Sequence, residues 1–88
     1  MGTVAVNMKY LSALRDRTGA RREKVDFPAG SVLEDVVRWL RNRYGIDCLD
    51  GRLMLIVNGK GWKQYPEKLQ TPVKDGDDIL LMPPVSGG

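Results

Sequence analysis

The chain has 88 residues, of which 42% are hydrophobic and 28% charged, and its formal net charge is +3. This length fits one domain, and the composition is that of a globular protein rather than a disordered one. The chain has no histidine and a single cysteine, Cys48, which excludes an internal disulfide and argues against a self-contained hydrolase or zinc site. No apolar run approaches the roughly 20 residues that span a bilayer, so we expect a cytoplasmic protein with no membrane contact.

The positive charge is concentrated in residues 1–44, which hold nine Lys and Arg against five Asp and Glu. The densest stretch, RDRTGARREK at 15–24, reads as a loop and contains no aromatic residue that could stack on bases. We therefore interpret it as a solvated rim, and nucleic-acid binding is disfavoured.

Two strands are predicted near the start of the chain. Apolar residues alternate from Val4 to Tyr10, which is the two-residue period of a half-buried strand. A second strand is predicted at about 22–27. The connection between them, LSALRDRTGA, holds helix-forming residues before Gly19, so we expect a helical turn and then a chain reversal.

The segment PAGSVLEDVVRWLRNRYG predicts the one main helix. Ser31 and Glu34 have the spacing of a capping box, in which each side chain accepts a hydrogen bond from the other residue's backbone amide. Arginines occupy the last turns, where the helix dipole favours cations, and Gly45 supplies the stop. We expect the helix to lie on a sheet through apolar residues at helical spacing, namely Leu33, Val36, Val37, Leu40 and Tyr44.

Two more strands are predicted after the helix. LMLIVNG at 53–59 indicates an inner strand and a tight Asn-Gly turn, and the run at about 78–82 indicates a last strand that ends at Pro83 and Pro84. The order predicts an α+β fold of the β-grasp class, with a mixed sheet of four to five strands packed on one main helix. A ferredoxin-like fold would need a second helix at 60–71, where glycines and a proline stand.

We predict a folded domain at 1–82 and a flexible tail at 83–88, PPVSGG. Six extended residues reach roughly 20 Å, which is long enough to enter another protein. The two prolines favour an extended start that loses little entropy on insertion into a channel. Gly87 and Gly88 lack Cβ atoms, so the end of the tail fits a narrow passage and its carbonyl is open to attack.

A terminal carboxylate must be activated before it accepts a nucleophile. Transfer of AMP to its oxygen provides a leaving group, after which sulfide, a persulfide, a thiolate or a lysine amine can take the acyl group. The chain itself then needs no base, metal or nucleophile, which agrees with its composition.

The segment TPVKDGDDILLMPPVSGG, together with ALRDRTG and the main helix, resembles the MoaD/ThiS sulfur-carrier family, and within it the small subunits of molybdopterin synthases. This resemblance spans nearly the whole chain. It implies a ubiquitin-like β-grasp fold whose Gly88 is adenylated by a ubiquitin-activating-type enzyme with ATP and magnesium, and is then converted to a thiocarboxylate. It further implies that the large synthase subunit receives Gly87 and Gly88 in its active site and passes the sulfur to a pterin precursor.

The same resemblance implies that this chain binds no cofactor and is not catalytic alone. Its expected partners are the adenylyltransferase, a sulfur donor protein and the large subunit, which docks on apolar surface near the base of the tail. We predict partner contacts along the tail and at one aromatic residue outside it, since aromatic residues dominate interface energies; these residues are Pro83, Pro84, Val85, Ser86 and Trp62.

Several alternatives stay open. Related archaeal and bacterial proteins of this shape are protein modifiers, joined to lysines through the terminal glycine, or carriers for thiolated RNA bases. Thiamine-synthesis carriers are typically shorter and usually lack the double proline. GKGWKQYPEKLQ at 59–70 departs from the family pattern as an insertion, and a β-grasp interaction module with an inert tail is a third class.

Overall fold

A computed structural model describes residues 2–49 and 51–83. Its elements are β1 (Thr3–Tyr10), α1 (Leu14–Thr18), β2 (Arg22–Pro28), α2 (Leu33–Tyr44), β3 (Met54–Val57), β4 (Lys60–Gly61), two 3-10 helices (Trp62–Gln64 and Lys68–Gln70) and β5 (Asp78–Met82). The five strands form one sheet in the order β2-β1-β5-β3-β4. The β1–β5 pair is parallel and the other pairs are antiparallel, which confirms the predicted mixed β-grasp sheet with one main helix.

The last strand lies in the middle of the sheet. Ile79 of β5 pairs with Met8 of β1 on one side, and Leu81 pairs with Leu55 of β3 on the other. Because β1 and β5 are parallel, both strands finish at the same end of the sheet, where the Leu11 amide donates to the Leu81 carbonyl at 3.1 Å. We call this the tail end of the sheet, since the chain leaves β5 there.

The core fills the space between the sheet and α2. Alternate residues of the strands point toward the helix, as the two-residue period predicted, and the predicted helix face is buried except for a half-buried Tyr44. Burial of such side chains is worth roughly 1.5–3 kcal/mol each and is the main source of stability. The largest side chains that are fully buried are Tyr10, Met8, Leu33, Leu40, Ile46, Leu55, Ile79, Leu81, Val6 and Val36.

The predicted capping box of Ser31 and Glu34 is wrong. The first turn of α2 is capped one residue later, where the Asp35 carboxylate accepts a hydrogen bond from the Val32 amide at 2.8 Å. The Ser31 hydroxyl instead donates to the Pro28 carbonyl at 2.7 Å, within the turn that follows β2. The serine is therefore used to close that turn and is not free to cap the helix.

The predicted end of α2 at Gly45 is confirmed. This residue adopts a left-handed conformation with φ of +69°, and its amide donates to the Arg41 carbonyl. Arg17 adds a second constraint, since its Nη2 donates to the carbonyls of Tyr44 at 3.3 Å and Gly45 at 3.0 Å. The end of α2 is thus tied to α1.

The segment at 60–71 is irregular, as predicted, but it is folded against the domain. The Tyr65 hydroxyl donates to the Val57 carbonyl at 2.7 Å, and the Leu33 amide donates to the Thr71 carbonyl at 3.0 Å. Leu69 packs against the core. The longest helix of the described residues, α2, has 12 residues, and none of these helices could cross a bilayer.

Candidate functional site

The base of the tail lies at the tail end of the sheet. Pro83 follows β5 directly and is half-buried. The predictions on the remaining tail residues fall outside the described part of the chain; these residues are Pro84, Val85, Ser86, Gly87 and Gly88.

Four apolar side chains lie on the outer face of β3 and β5, away from α2. Met54 pairs with Met82, and Ile56 pairs with Leu80. Met54 is 38% exposed and the other three are half-buried. We call these four residues the apolar face. Contiguous exposed apolar surface marks interaction sites, and this surface lies where the tail begins.

The family resemblance implies apolar surface near the base of the tail, and the structure identifies the residues that form it. The signal was present in the unbroken apolar run LMLIV at 53–57, because a strand that is apolar at every position offers apolar side chains to both faces of its sheet. Leu80 and Met82 belong to a second such run, ILLM at 79–82 in β5.

Trp62 lies beside the apolar face. It opens the first 3-10 helix and is half-buried, and the Lys63 ammonium lies 5.7 Å from the centre of its indole ring. A groove of about 270 Å³ joins the two features and is lined by residues that include Leu53, Met54, Ile56 and Trp62. The structure therefore brings Trp62 next to the apolar face, while its role as a partner contact stays a prediction.

A half-buried carboxylate, that of Glu23, supports the tail end from the helix side. The hydroxyls of Tyr10 and Tyr44 both donate to one oxygen of Glu23, at 2.7 Å and 2.5 Å. Burial raises the pKa of Tyr10 far above its ordinary value, and the hydrogen bond to Glu23 adds to the effect. Burial, followed by the Glu23 hydrogen bond, also raises the pKa of Tyr44. Both phenols therefore stay protonated and keep donating.

The basic stretch at 15–24 is only partly a loop, because α1 and the start of β2 occupy much of it. A depression of about 250 Å³ at the tail end is lined by Tyr10, Leu11 and four cationic side chains. We call these four the basic rim: Lys9, Arg15, Arg21 and Arg22. The basic rim and the apolar face flank the place where β5 ends.

Residues 2–49 and 51–83 contain no group of three or more His, Cys, Asp or Glu side chains placed to hold a metal ion. Cys48 is buried in the core. The candidate site is a surface that surrounds the base of the tail.

A five-stranded mixed sheet on one helix, with an apolar face where its central last strand ends, defines a ubiquitin-like β-grasp protein. A family model described as the ThiS family matches residues 8–88. The chain belongs to the ThiS family.

Similar proteins include molybdopterin synthase sulfur carrier subunits and a small archaeal modifier protein. The molybdopterin synthase sulfur carrier subunit of Drosophila erecta is 30% identical over 97% of this chain and 92% of its own length. The solution structure of small archaeal modifier protein 1 from Methanosarcina acetivorans is 26% identical, covers both chains completely and superposes with a TM-score of 0.75. A complex of subunits 1 and 2 of the molybdopterin-converting factor from Helicobacter pylori contains a chain that is 26% identical, with a TM-score of 0.63, over 97% of this chain and all of that one.

Proposed function

We propose that this protein is a sulfur carrier for molybdenum cofactor synthesis and carries the sulfur as a thiocarboxylate on Gly88. The proposal is supported by membership of the ThiS family, by a family match that extends to residue 88, and by the similarity to a molybdopterin synthase sulfur carrier subunit. The observation that carries it is the position of β5, which ends beside the apolar face. A partner that covers this face has the tail within reach.

The chemistry proceeds in two steps, an adenylyl transfer followed by an acyl transfer. The Gly88 carboxylate attacks the α-phosphorus of ATP, pyrophosphate leaves, and an acyl adenylate forms. Hydrosulfide, or sulfur of the same oxidation state from a donor protein, then attacks the carbonyl carbon and AMP leaves. One carbon–oxygen bond is broken and one carbon–sulfur bond is made, which leaves a thiocarboxylate.

The roles of the tail residues follow from their size and stiffness. Gly87 and Gly88 present a carbonyl without flanking side chains, so that an enzyme can approach it from either side. Pro83 and Pro84 favour an extended start of the tail. Val85 and Ser86 then contact the walls of the partner's passage. The activating partner, a ubiquitin-activating-type adenylyltransferase, holds ATP and magnesium.

The large synthase subunit is the partner that receives the thiocarboxylate and transfers its sulfur to a pterin precursor. The complex from Helicobacter pylori supports a two-subunit assembly, since one of its chains shares this fold. The apolar face and Trp62 form the docking surface on this chain, because apolar and aromatic side chains supply most of the energy of stable interfaces.

The experiment is an intact-mass measurement of the purified chain after incubation with the adenylyltransferase, ATP, magnesium and a sulfur donor. The expected product shows the mass change of one oxygen replaced by one sulfur. A variant that lacks Gly87 and Gly88 should remain unchanged under the same conditions. The proposal also requires a native protein whose mass ends at Gly88, so a longer native form that is never trimmed would contradict it.

Protein modification through Gly88 is the second candidate function. It is favoured by the complete coverage and TM-score of 0.75 between this chain and an archaeal modifier protein. Both functions begin with adenylation and differ in the nucleophile that follows. A modifier gives conjugates of higher mass in cell extract after activation, whereas a pterin-pathway carrier restores molybdopterin formation when it is mixed with the large subunit. Transfer to tRNA or to a thiamine precursor is distinguished by the product that gains sulfur.

A further inference from the structure

We infer that the basic rim is a docking surface for an acidic patch on the enzyme that activates the tail, an inference that rests on the proposed function. The rim consists of the four cationic side chains around the depression at the tail end. Lys9 lies in β1, Arg15 in α1 and Arg22 in β2, and Arg21 directly precedes β2.

The ion pairs of the described residues lie outside the basic rim. They join Arg38 to Glu34 and Asp35, and Arg41 to Asp47. All four residues of the rim are exposed, and none of them forms an ion pair with a described residue. Two carboxylates line a neighbouring depression with Lys9 and Arg22: the half-buried one of Glu23 accepts from two phenol hydroxyls, and that of Asp78 accepts from the Asn7 side-chain amide.

The sheet places two of these cations against each other. Lys9 of β1 lies directly opposite Arg22 of β2, and both side chains point to the outer face. Like charges directly opposite in an antiparallel pair are destabilising. The chain therefore keeps a positive potential at this position at the expense of its own stability, and an acidic partner would relieve the repulsion.

The location of the rim determines which partner meets it. Lys9 also pairs with Leu80 of β5, so the rim and the apolar face are neighbours on one outer surface. Asp26 and Asp75 lie toward the opposite end of the sheet, and Asp78 lies between them and the rim, in a depression that Lys9 and Arg22 also line. This gradient would steer an acidic partner to the end from which the tail leaves.

The exposure of the rim favours an acidic protein surface over a single small anion. Small-anion sites hold their ligand with converging donors, whereas these four side chains are solvated and spread over separate elements. A contact of this kind depends on salt and forms and releases quickly. It suits the transient activating enzyme, while the apolar face suits the stable synthase complex.

The experiment measures ATP–pyrophosphate exchange by the adenylyltransferase as a function of the concentration of this chain. The variants are Lys9→Glu and Arg22→Glu, and the matched control is Lys74→Glu, an exposed lysine near the opposite end of the sheet. We expect the KM for Lys9→Glu and Arg22→Glu to rise about tenfold with kcat unchanged, since the tail is intact, and the KM for Lys74→Glu to change by less than about twofold.

Folding is checked separately by thermal unfolding. Each rim variant converts a repulsive Lys9–Arg22 pair into an attractive one, so its Tm should equal or exceed that of the wild type. A raised KM together with an unchanged or raised Tm can only come from the lost contact. Failure of the wild-type chain to support any exchange would count against the proposed function. Exchange with equal KM values for all three variants would overturn the inference about the rim.

Two further titrations test whether a ligand other than an acidic protein surface binds the basic rim. Inorganic phosphate and a short RNA are each added to the isolated chain, and backbone amide NMR shifts are followed at Lys9 and Arg22. We expect only weak, unsaturated shifts. Saturation below about 1 mM by either ligand would assign the rim to a free anion or to nucleic acid and would overturn the proposal.

Discussion

Glu23 shows how a single polar residue can hold two elements together. Its carboxylate accepts hydrogen bonds from Tyr10 of β1 and Tyr44 of α2, and Tyr10 is only 1% exposed. A buried hydroxyl without an acceptor costs far more than an average hydrogen bond contributes. The side chain thus joins the sheet to the helix at the tail end.

We expect Glu23→Ala to lower the free energy of unfolding by about 1–3 kcal/mol, because the buried Tyr10 hydroxyl loses its acceptor. Urea denaturation measures this value. Asp26→Ala, an exposed carboxylate on the same strand, is the control and should change stability by less than about 0.5 kcal/mol. Equal losses for the two variants would show that the phenol bonds contribute nothing.

The raised pKa of Tyr10 predicts a loss of stability at alkaline pH. Folded Tyr10 keeps its proton when the unfolded chain releases it at about pH 10, so above that pH the unfolded state binds fewer protons and stability falls. The contribution is fully present below about pH 10. Tyr10→Phe should make the decline between pH 9 and 11 shallower, by up to about 1.4 kcal/mol per pH unit, in urea titrations. A slope that does not change would contradict this assignment.

The start of α2 shows what could not be predicted at the level of single residues. The sequence offers two overlapping capping patterns, Ser31 with Glu34 and Val32 with Asp35. Residue type favours the first, since serine is a good cap and valine is not. The turn after β2 decides between them, because it uses the Ser31 hydroxyl to bind the Pro28 carbonyl. That choice depends on where the neighbouring strand ends.

At the scale of elements, β3 and β5 differ from the other long strands in being apolar on both faces. Their inner residues fill the core and their outer residues form the apolar face. The periodicity of β1 and α2 predicted their bounds closely, because each has one buried face. The short β4 and the 3-10 helices carry no such period, and their geometry depends on long-range contacts such as that of Tyr65 with Val57.

Ile56→Ser should weaken capture of the large synthase subunit about tenfold, because the variant removes apolar area from the centre of the apolar face. Ala5→Ser, on the same outer surface but near the opposite end of the sheet, is the matched control. Titration calorimetry of the purified subunits gives both affinities. If the two variants bind equally well, the apolar face is not the docking surface.

The Tyr65 hydroxyl adds a side-chain hydrogen bond to the β3–β4 pairing that joins the segment of Trp62 to strand β3. Tyr65→Phe should raise amide hydrogen exchange in residues 60–65 and lower the free energy of unfolding by about 1 kcal/mol, since the Val57 carbonyl loses its donor. Hydrogen exchange that stays at the wild-type rate would show that the β3–β4 pairing and packing hold the segment without this hydrogen bond.

For the whole molecule, the sequence alone predicted the β-grasp class because each long element carries its own pattern and the order of elements leaves few arrangements. The tail was singled out from the composition of PPVSGG, which depends on no contact. The basic rim was not foreseen as a site. Lys9, Arg15 and Arg22 are distant enough in sequence that only the pairing of β1 with β2 brings them together.

Removal of Gly87 and Gly88 should abolish activation and leave the free energy of unfolding within about 0.5 kcal/mol of the wild type. The core residues and the hydrogen bonds that join β5 to β1 and to β3 all precede residue 87 in the sequence. Adenylation is followed by pyrophosphate release, and stability by urea denaturation. A truncated chain that is clearly less stable would mean that the tail packs on the domain.

The central position of β5 has a consequence for the folding of the newly synthesised chain. The strand that completes the sheet is made last, so the growing chain lacks the partner that joins β1 to β3 until residue 82 has left the ribosome. The complete sheet therefore forms only after β5 has emerged, and a chain interrupted before β5 lacks the strand that joins β1 to β3. An enzyme that recognises the assembled sheet before it charges the tail would thereby reject chains that lack β5.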